Sequence, residues 1–96
     1  MNTTNLMVKN LPADMTEARL FETFSQFGRV TSVRIIRDRE RYALQMQHEQ
    51  EYSRRPTKGL AFVNFASSEN ALRAIQSMHN SFMDARRIHV SFAEKE

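Results

Sequence analysis

The chain of 96 residues has no cysteine, an absence that removes disulfide frameworks, zinc knuckles and thiol catalysis together and fits an intracellular protein. Long apolar runs are missing as well. No stretch approaches the roughly 20 residues that span a bilayer, and the opening MNTTNLMVKN lacks the apolar core of a signal peptide. A soluble chain that stays inside the cell, with no membrane partner, is the expectation. Metal would have to enter through His48, His79, His89 and carboxylates, and none of these shows a ligand spacing on one element; neither a metal site nor a cofactor is expected. Charge of one sign is only in modest excess, with 14 Lys and Arg against 11 Asp and Glu for a net +3, so net charge alone says little about nucleic acid. The length suffices for one two-layer core and leaves no room for a second domain or a large enzyme cleft.

What is present is periodicity. In NLMVKNLP, Leu6 and Val8 alternate with Met7 and Lys9 until Pro12, which predicts a strand. Thr16 is placed to cap a helix in which Leu20, Phe24 and Phe27 recur at i, i+4 and i+7. Phe21 widens that stripe and Gly28 offers a left-handed stop, so this helix is expected to bury three phenylalanines. VTSVRIIRD and GLAFVNF predict two more strands, with Val33, Ile35, Ala61, Val63 and Phe65 opposed to Arg34, Ile36, Leu60, Phe62 and Asn64. Ser67 or Ser68 caps a second helix carrying Ala71, Ala74, Ile75 and Met78, with Asn80 as its stop; RIHVSFA ends the pattern as a strand in which Ile88, Val90 and Phe92 alternate with His89 and Ser91. The order β-α-β-β-α-β predicts an α+β fold of ferredoxin-like type, a monomeric two-layer sandwich with two helices on one face of a four-stranded antiparallel sheet. Arg39 to Thr57 is far longer than the roughly 2–5 residues of a hairpin loop. Its middle, RYALQMQHEQEY, has no Gly or Pro and is compatible with either a partly helical protrusion or a disordered loop.

In this register the face turned away from the helices carries Met7, Lys9, Arg34, Ile36, Leu60, Phe62, Asn64, His89 and Ser91, and Lys58 adds a cation at the mouth of the third strand. Arg37, Arg54, Arg55, Arg86 and Arg87 lie near strand ends or loops, while Asp14, Glu17, Glu22 and Glu69 fall on or beside the helices. Flat apolar groups can stack bases at about 1–3 kcal/mol each while a basic margin neutralises phosphates. Phe62 is hard to place in a core whose inward positions Ala61 and Val63 already fill. Met7 and Leu60 can support a base, merely fill the strand surface, or lie under a segment following Glu96. Lys9, Arg34 and Lys58 gain meaning only as the fringe of one apolar patch, and His89 reads equally as spacer or base contact. The doublets Arg54-Arg55 and Arg86-Arg87 are at best auxiliary phosphate contacts, and Asp38 more naturally fixes a turn.

LMVKNL (Leu6 to Leu11) and KGLAFVNF (Lys58 to Phe65) resemble the two ribonucleoprotein motifs of the RNA recognition motif (RRM) family, in the right order and across nearly the whole chain. The resemblance implies one RRM domain over residues 1–96 with a long β2–β3 loop at about 39–57, binding single-stranded RNA on its sheet face. The family's stacking aromatics fall at Met7, Leu60 and Phe62, so one ring remains of three; Lys58 matches a residue that commonly meets a phosphate. VKNLP, VRIIRDR and NSFMDARRIHVSFA are further similar to the first RRM of multiple-RRM proteins acting on pre-ribosomal RNA in small-subunit assembly. That likeness implies a nuclear, nucleolar protein of which this chain is the first module. A protein-interaction module using Met7, Ile36, Leu60 and Phe62 is the alternative, although DARRIHV lacks the Arg-x-Phe of RRM-like domains that hold a peptide tryptophan. Catalysis is not expected: the phosphatases that share this topology need an anion cradle after the first strand, and NLPADM has neither glycine nor arginine to build one.

Overall fold

A computed structural model describes residues 3–37 and 57–93, without the side chains of Arg37, Thr57 and Lys58. The elements run β1 (Asn5–Lys9), α1 (Glu17–Phe24) with a 3₁₀ turn (Ser25–Phe27), β2 (Val30–Arg37), β3 (Thr57–Phe65), α2 (Ser68–Met78), β4 (Phe82–Met83), β5 (Arg86–Arg87) and β6 (His89–Phe92). Four of the strands make one sheet in the order β2-β3-β1-β6, each neighbouring pair antiparallel. This is the β-α-β-β-α-β fold that the periodicities predict.

Alternation decides which face is core. Leu6, Val8, Ala61, Val63 and Phe65 point to one side, where they bury Leu20 and Phe24 of α1 and Ala71 and Ala74 of α2 in a single cluster. Both helices therefore cover the same face and leave the other bare. The Thr16 hydroxyl accepts from the Arg19 backbone N–H at 3.2 Å and the Ser67 hydroxyl from that of Glu69 at 3.2 Å, which starts each helix by meeting an orphan donor. Asn80, at φ 69°, turns the chain out of α2 as expected.

Three phenylalanines depart from the expected core. Phe24 is fully buried, 6.4 Å from Phe27 and 6.5 Å from Phe65 between ring centroids. Phe27 packs only partly, because α1 ends at Phe24 and the 3₁₀ turn, advancing about 120° per residue, swings it off the helical stripe. Phe21 is 50% exposed and Phe92, at the end of an outer strand, 37% exposed. Gly28 stops the 3₁₀ turn rather than α1; at φ 149° it occupies backbone space that side chains rarely adopt, and a Cβ there would run into the Asn70 side chain.

The closing segment is also less regular than one strand. Arg86–Arg87 pair with Phe82–Met83 in a separate short hairpin, Asp84 turning it at φ 57°, and only His89–Phe92 joins the main sheet. Ile88 links the two: its N–H donates to the Ser81 carbonyl at 2.8 Å and its carbonyl accepts from the Asn80 N–H at 2.9 Å. Beyond it, the Val90 N–H on the outer edge of β6 donates to Nδ1 of His79 at 3.0 Å. One margin of the sheet is thus closed by the chain leaving α2.

Candidate nucleic-acid interface

The strand registers assemble the residues of the bare face into two cross-strand rows. Arg34, Phe62, Met7 and Ser91 are direct neighbours across β2, β3, β1 and β6, and one pleat further along Ile36, Leu60, Lys9 and His89 are neighbours in the same order. Adjacent strands lie about 4.8 Å apart, close enough for opposed side chains to form a continuous surface. Phe62, Met7, Leu60 and Ile36 are half-buried by one another, whereas Arg34, Lys9, His89 and Ser91 stand exposed around them. Neither row contains a carboxylate. The apolar centre is therefore bordered by Arg34 on one side and by Lys9 and His89 on the other, and Lys58 belongs to the same strand as Leu60 although its side chain lies outside the described set.

Asn64 sits at the far end of this surface and is committed to the fold. Its amide oxygen accepts from the Thr4 hydroxyl at 3.0 Å and its amide nitrogen donates to the Thr31 hydroxyl at 2.7 Å. It anchors the margin of the rows, with two of its four hydrogen-bonding positions taken up by the two threonines.

At the opposite end the expected auxiliary arginines have partners. Arg86 donates through Nε to the Asn10 carbonyl at 3.3 Å and through a terminal nitrogen to Asn10 Oδ1 at 2.6 Å, while Nδ2 of Asn10 donates to the Arg87 carbonyl at 2.8 Å. Asn10 itself is in the left-handed region, φ 66°, and so turns its amide from the end of β1 toward the hairpin. The Arg87 guanidinium lies 5.2 Å above the Phe82 ring, which is 60% exposed, a cation over an aromatic face. Arg87 is exposed and closes the short hairpin, with Ile88 between it and β6. The sequence places Arg87 among the auxiliary phosphate contacts and gives Phe82 no part in the site, because a two-residue strand shows no period; the structure sets the one over the other. Arg54 and Arg55, and Asp38, lie outside the described residues.

Two further contacts define the surroundings. The His89 ring is 5.6 Å from that of His79, tilted by 55°, which links the bare face to the closed margin of β6. On the helix side Arg19 meets both carboxylate oxygens of Asp84, at 2.8 and 3.0 Å. Those hydrogen bonds hold the Asp84 carboxyl below its ordinary range and raise Arg19 above its own. Among the described residues no group of three or more His, Cys, Asp or Glu could hold a metal ion, and no helix is long and apolar enough to cross a membrane.

A family model described as the RNA recognition motif matches residues 6–89. Polyadenylate-binding protein 7 of Arabidopsis thaliana is 33% identical over 93 residues, which is 97% of this chain and 13% of that protein. Protein elav of Drosophila melanogaster is 33% identical over 90 residues, 94% of this chain and 19% of that protein. Among solved structures, an Sxl-lethal protein/RNA complex superposes with a TM-score of 0.79 at 31% identity, covering 97% of this chain and 48% of the matched one. The chain spans a small part of the curated relatives it matches.

Proposed function

Given that this chain belongs to the RNA recognition motif family, we propose that residues 1–96 form one domain that binds single-stranded RNA across the two cross-strand rows. The observation that carries this is the position of Phe62: half-exposed, in the middle of a row, with Met7 and Arg34 as immediate neighbours and no carboxylate in either row. Phe62 stacks one base, Met7, Leu60 and Ile36 support its neighbours without gripping them, and Lys9, Arg34 and Lys58 meet phosphates. His89 and Ser91 offer hydrogen bonds at the β6 side. Arg87 on Phe82 extends the path past β6, and Arg54 and Arg55 add charge from the long β2–β3 loop. With two of the family's rings absent, the platform gives up roughly 2–6 kcal/mol at about 1–3 kcal/mol per stacked base, so the domain works beside others in a longer protein.

The narrower placement, a nuclear and nucleolar protein acting on pre-ribosomal RNA in small-subunit biogenesis, rests on the likeness of Asn80-Ser81-Phe82 and its surroundings to the first RRM of such proteins. The relatives named above are of other kinds. Crosslinking in cells, with sequencing of the bound RNA, decides it: reads concentrated on ribosomal precursors support the placement, and reads on messenger RNA remove it.

The RNA-binding reading is tested by titrating isotope-labelled chain with short single-stranded RNAs and following each amide. Saturable shifts along β1 and β3 are the expected result. Absence of shifts at low salt, together with a protein that binds through Leu60, would move the face to the protein-interaction reading.

A further inference from the structure

The side chain of Asn64 rises from the bare face between the buried Val63 and Phe65, two positions along β3 from Phe62 and so about 7 Å from it on the same side of the sheet. Its amide is held from both flanks. Thr31, where β2 shifts register, donates its hydroxyl proton to the Asn64 carbonyl at 3.2 Å and therefore meets Nδ2 of the same residue, at 2.7 Å, as an acceptor. On the other flank, just ahead of β1, the Thr4 hydroxyl donates to Oδ1 at 3.0 Å. The direction of the amide is thereby fixed, oxygen toward the β1 side and nitrogen toward β2. A side-chain amide has two donor and two acceptor positions, and the threonines use one of each sideways. What remains is an outer edge of one N–H and one oxygen lone pair, on a half-buried side chain that faces the RNA surface.

On the reading that this face binds single-stranded RNA, we propose that Asn64 gives it a base preference, its outer edge pairing with the lactam edge of uracil or guanine, a carbonyl oxygen beside a ring N–H. The amide N–H donates to the base oxygen and the amide oxygen accepts from the ring N–H, two parallel bonds of the kind by which side-chain amides read base edges. The flank at β2 decides the class of base. Arg34, diagonal to Asn64 on that strand, presents donors only and carries a positive charge, so a base oxygen is favoured there and the amino group of adenine or cytosine is opposed. Phe62 offers a ring to any base, since every base has a stacking face. The choice falls to Asn64.

The test titrates the full chain with short oligouridylate and oligocytidylate of equal length, two pyrimidines that stack alike and differ at the edge in question. Oligouridylate is expected to bind about tenfold more tightly, within the range of one bidentate base contact, and to move the side-chain NH2 resonances of Asn64 where oligocytidylate does not. An oligomer of N3-methyluridine, which lacks the ring N–H, should bind like oligocytidylate. Asn64→Ala and Asn64→Asp should abolish the difference between uridine and cytidine, and Thr31→Val, which lets the amide turn over, should narrow it with Asn64 still in place. Melting curves establish that each variant is folded; the methylated oligomer needs no variant and suffices if none is. Equal affinity of the parent chain for the two oligomers, tighter binding of oligocytidylate, undiminished binding of the methylated oligomer, or a uridine preference that survives Asn64→Ala overturns the proposal and leaves the RNA surface standing. Failure of every oligomer to shift the amides of β1 and β3 at low salt removes the RNA reading and this inference with it.

Discussion

Phe62 and Leu60 occupy equivalent places in the two rows of the bare face, one a ring and one a branched aliphatic, and their substitution separates stacking from mere apolar cover. Phe62→Ala is expected to weaken single-stranded RNA binding by about 1–3 kcal/mol at any salt concentration. Leu60→Phe should strengthen it, since the neighbours Ile36 and Lys9 leave that row open to solvent; no gain in a fluorescence titration would mean that the position serves something other than a base. Lys58→Ala should instead lower the salt slope by roughly 0.7, the share of one phosphate contact on a single strand. Away from the face, the Arg19–Asp84 pair makes a pH prediction. The hydrogen bonds lower the folded-state pKa of Asp84, so its contribution is present above the unfolded carboxylate value of about 3.9 and fades as pH falls through the lower folded value. Both groups are exposed and the effect is small. Asp84→Asn should flatten the dependence of melting temperature on pH only in that acid range; a changed slope near neutrality would show the pair is misread.

For the elements, strands were legible because alternation is a local rule: Leu6 and Val8 against Met7 and Lys9 assign the face of each side chain, and the partner strand follows from the β-α-β-β-α-β order. Thr16 was legible as a cap, and the second cap as Ser67 or Ser68, because a hydroxyl before an acidic first turn has few other uses; the structure uses Ser67. The placement of Phe21 was not, since a stripe gives the direction of a helix face but not how far the sheet beneath it extends, and β2 is the outermost strand. The hairpin β4–β5 was not legible either, because two-residue strands are too short to show a period. Nor was the pinning of Arg86 by Asn10, which depends on a left-handed residue bringing distant segments together. Two substitutions test the helix assignments. Phe24→Ala should cost about 3–5 kcal/mol, visible as a large fall in the denaturant midpoint. Gly28→Ala should cost about 1–3 kcal/mol through its backbone conformation. Adding Asn70→Ala should recover only the part due to collision, and full recovery would show that φ at Gly28 carries no strain.

Taken whole, the molecule divides its surface by chemistry: a basic and apolar face on the sheet, an acidic rim at α1, and one sheet margin closed by the residues that follow α2. Removing the closure should be felt at a distance, because His79 accepts from Val90 and its ring also meets that of His89. His79→Ala is expected to speed hydrogen exchange at Val90 and to shift the His89 resonances, with α1 unaffected; exchange at Val90 no faster than in the parent chain would mean that the imidazole does not hold that strand. The strand order has a further consequence for how the protein comes into being. Among the described strands of this sheet β1 leaves a ribosome before the others and lies inside it, between β3 and β6, while β6 follows them all. During synthesis β2 and β3 can pair and β1 can join β3, yet from Leu6 to Lys9 the other margin of β1 has no partner until Phe92 to His89 emerge to meet it. A nascent chain halted short of His89 therefore displays an unfinished sheet with apolar Leu6 and Val8 at its margin, the kind of surface that draws chaperones or neighbouring nascent chains.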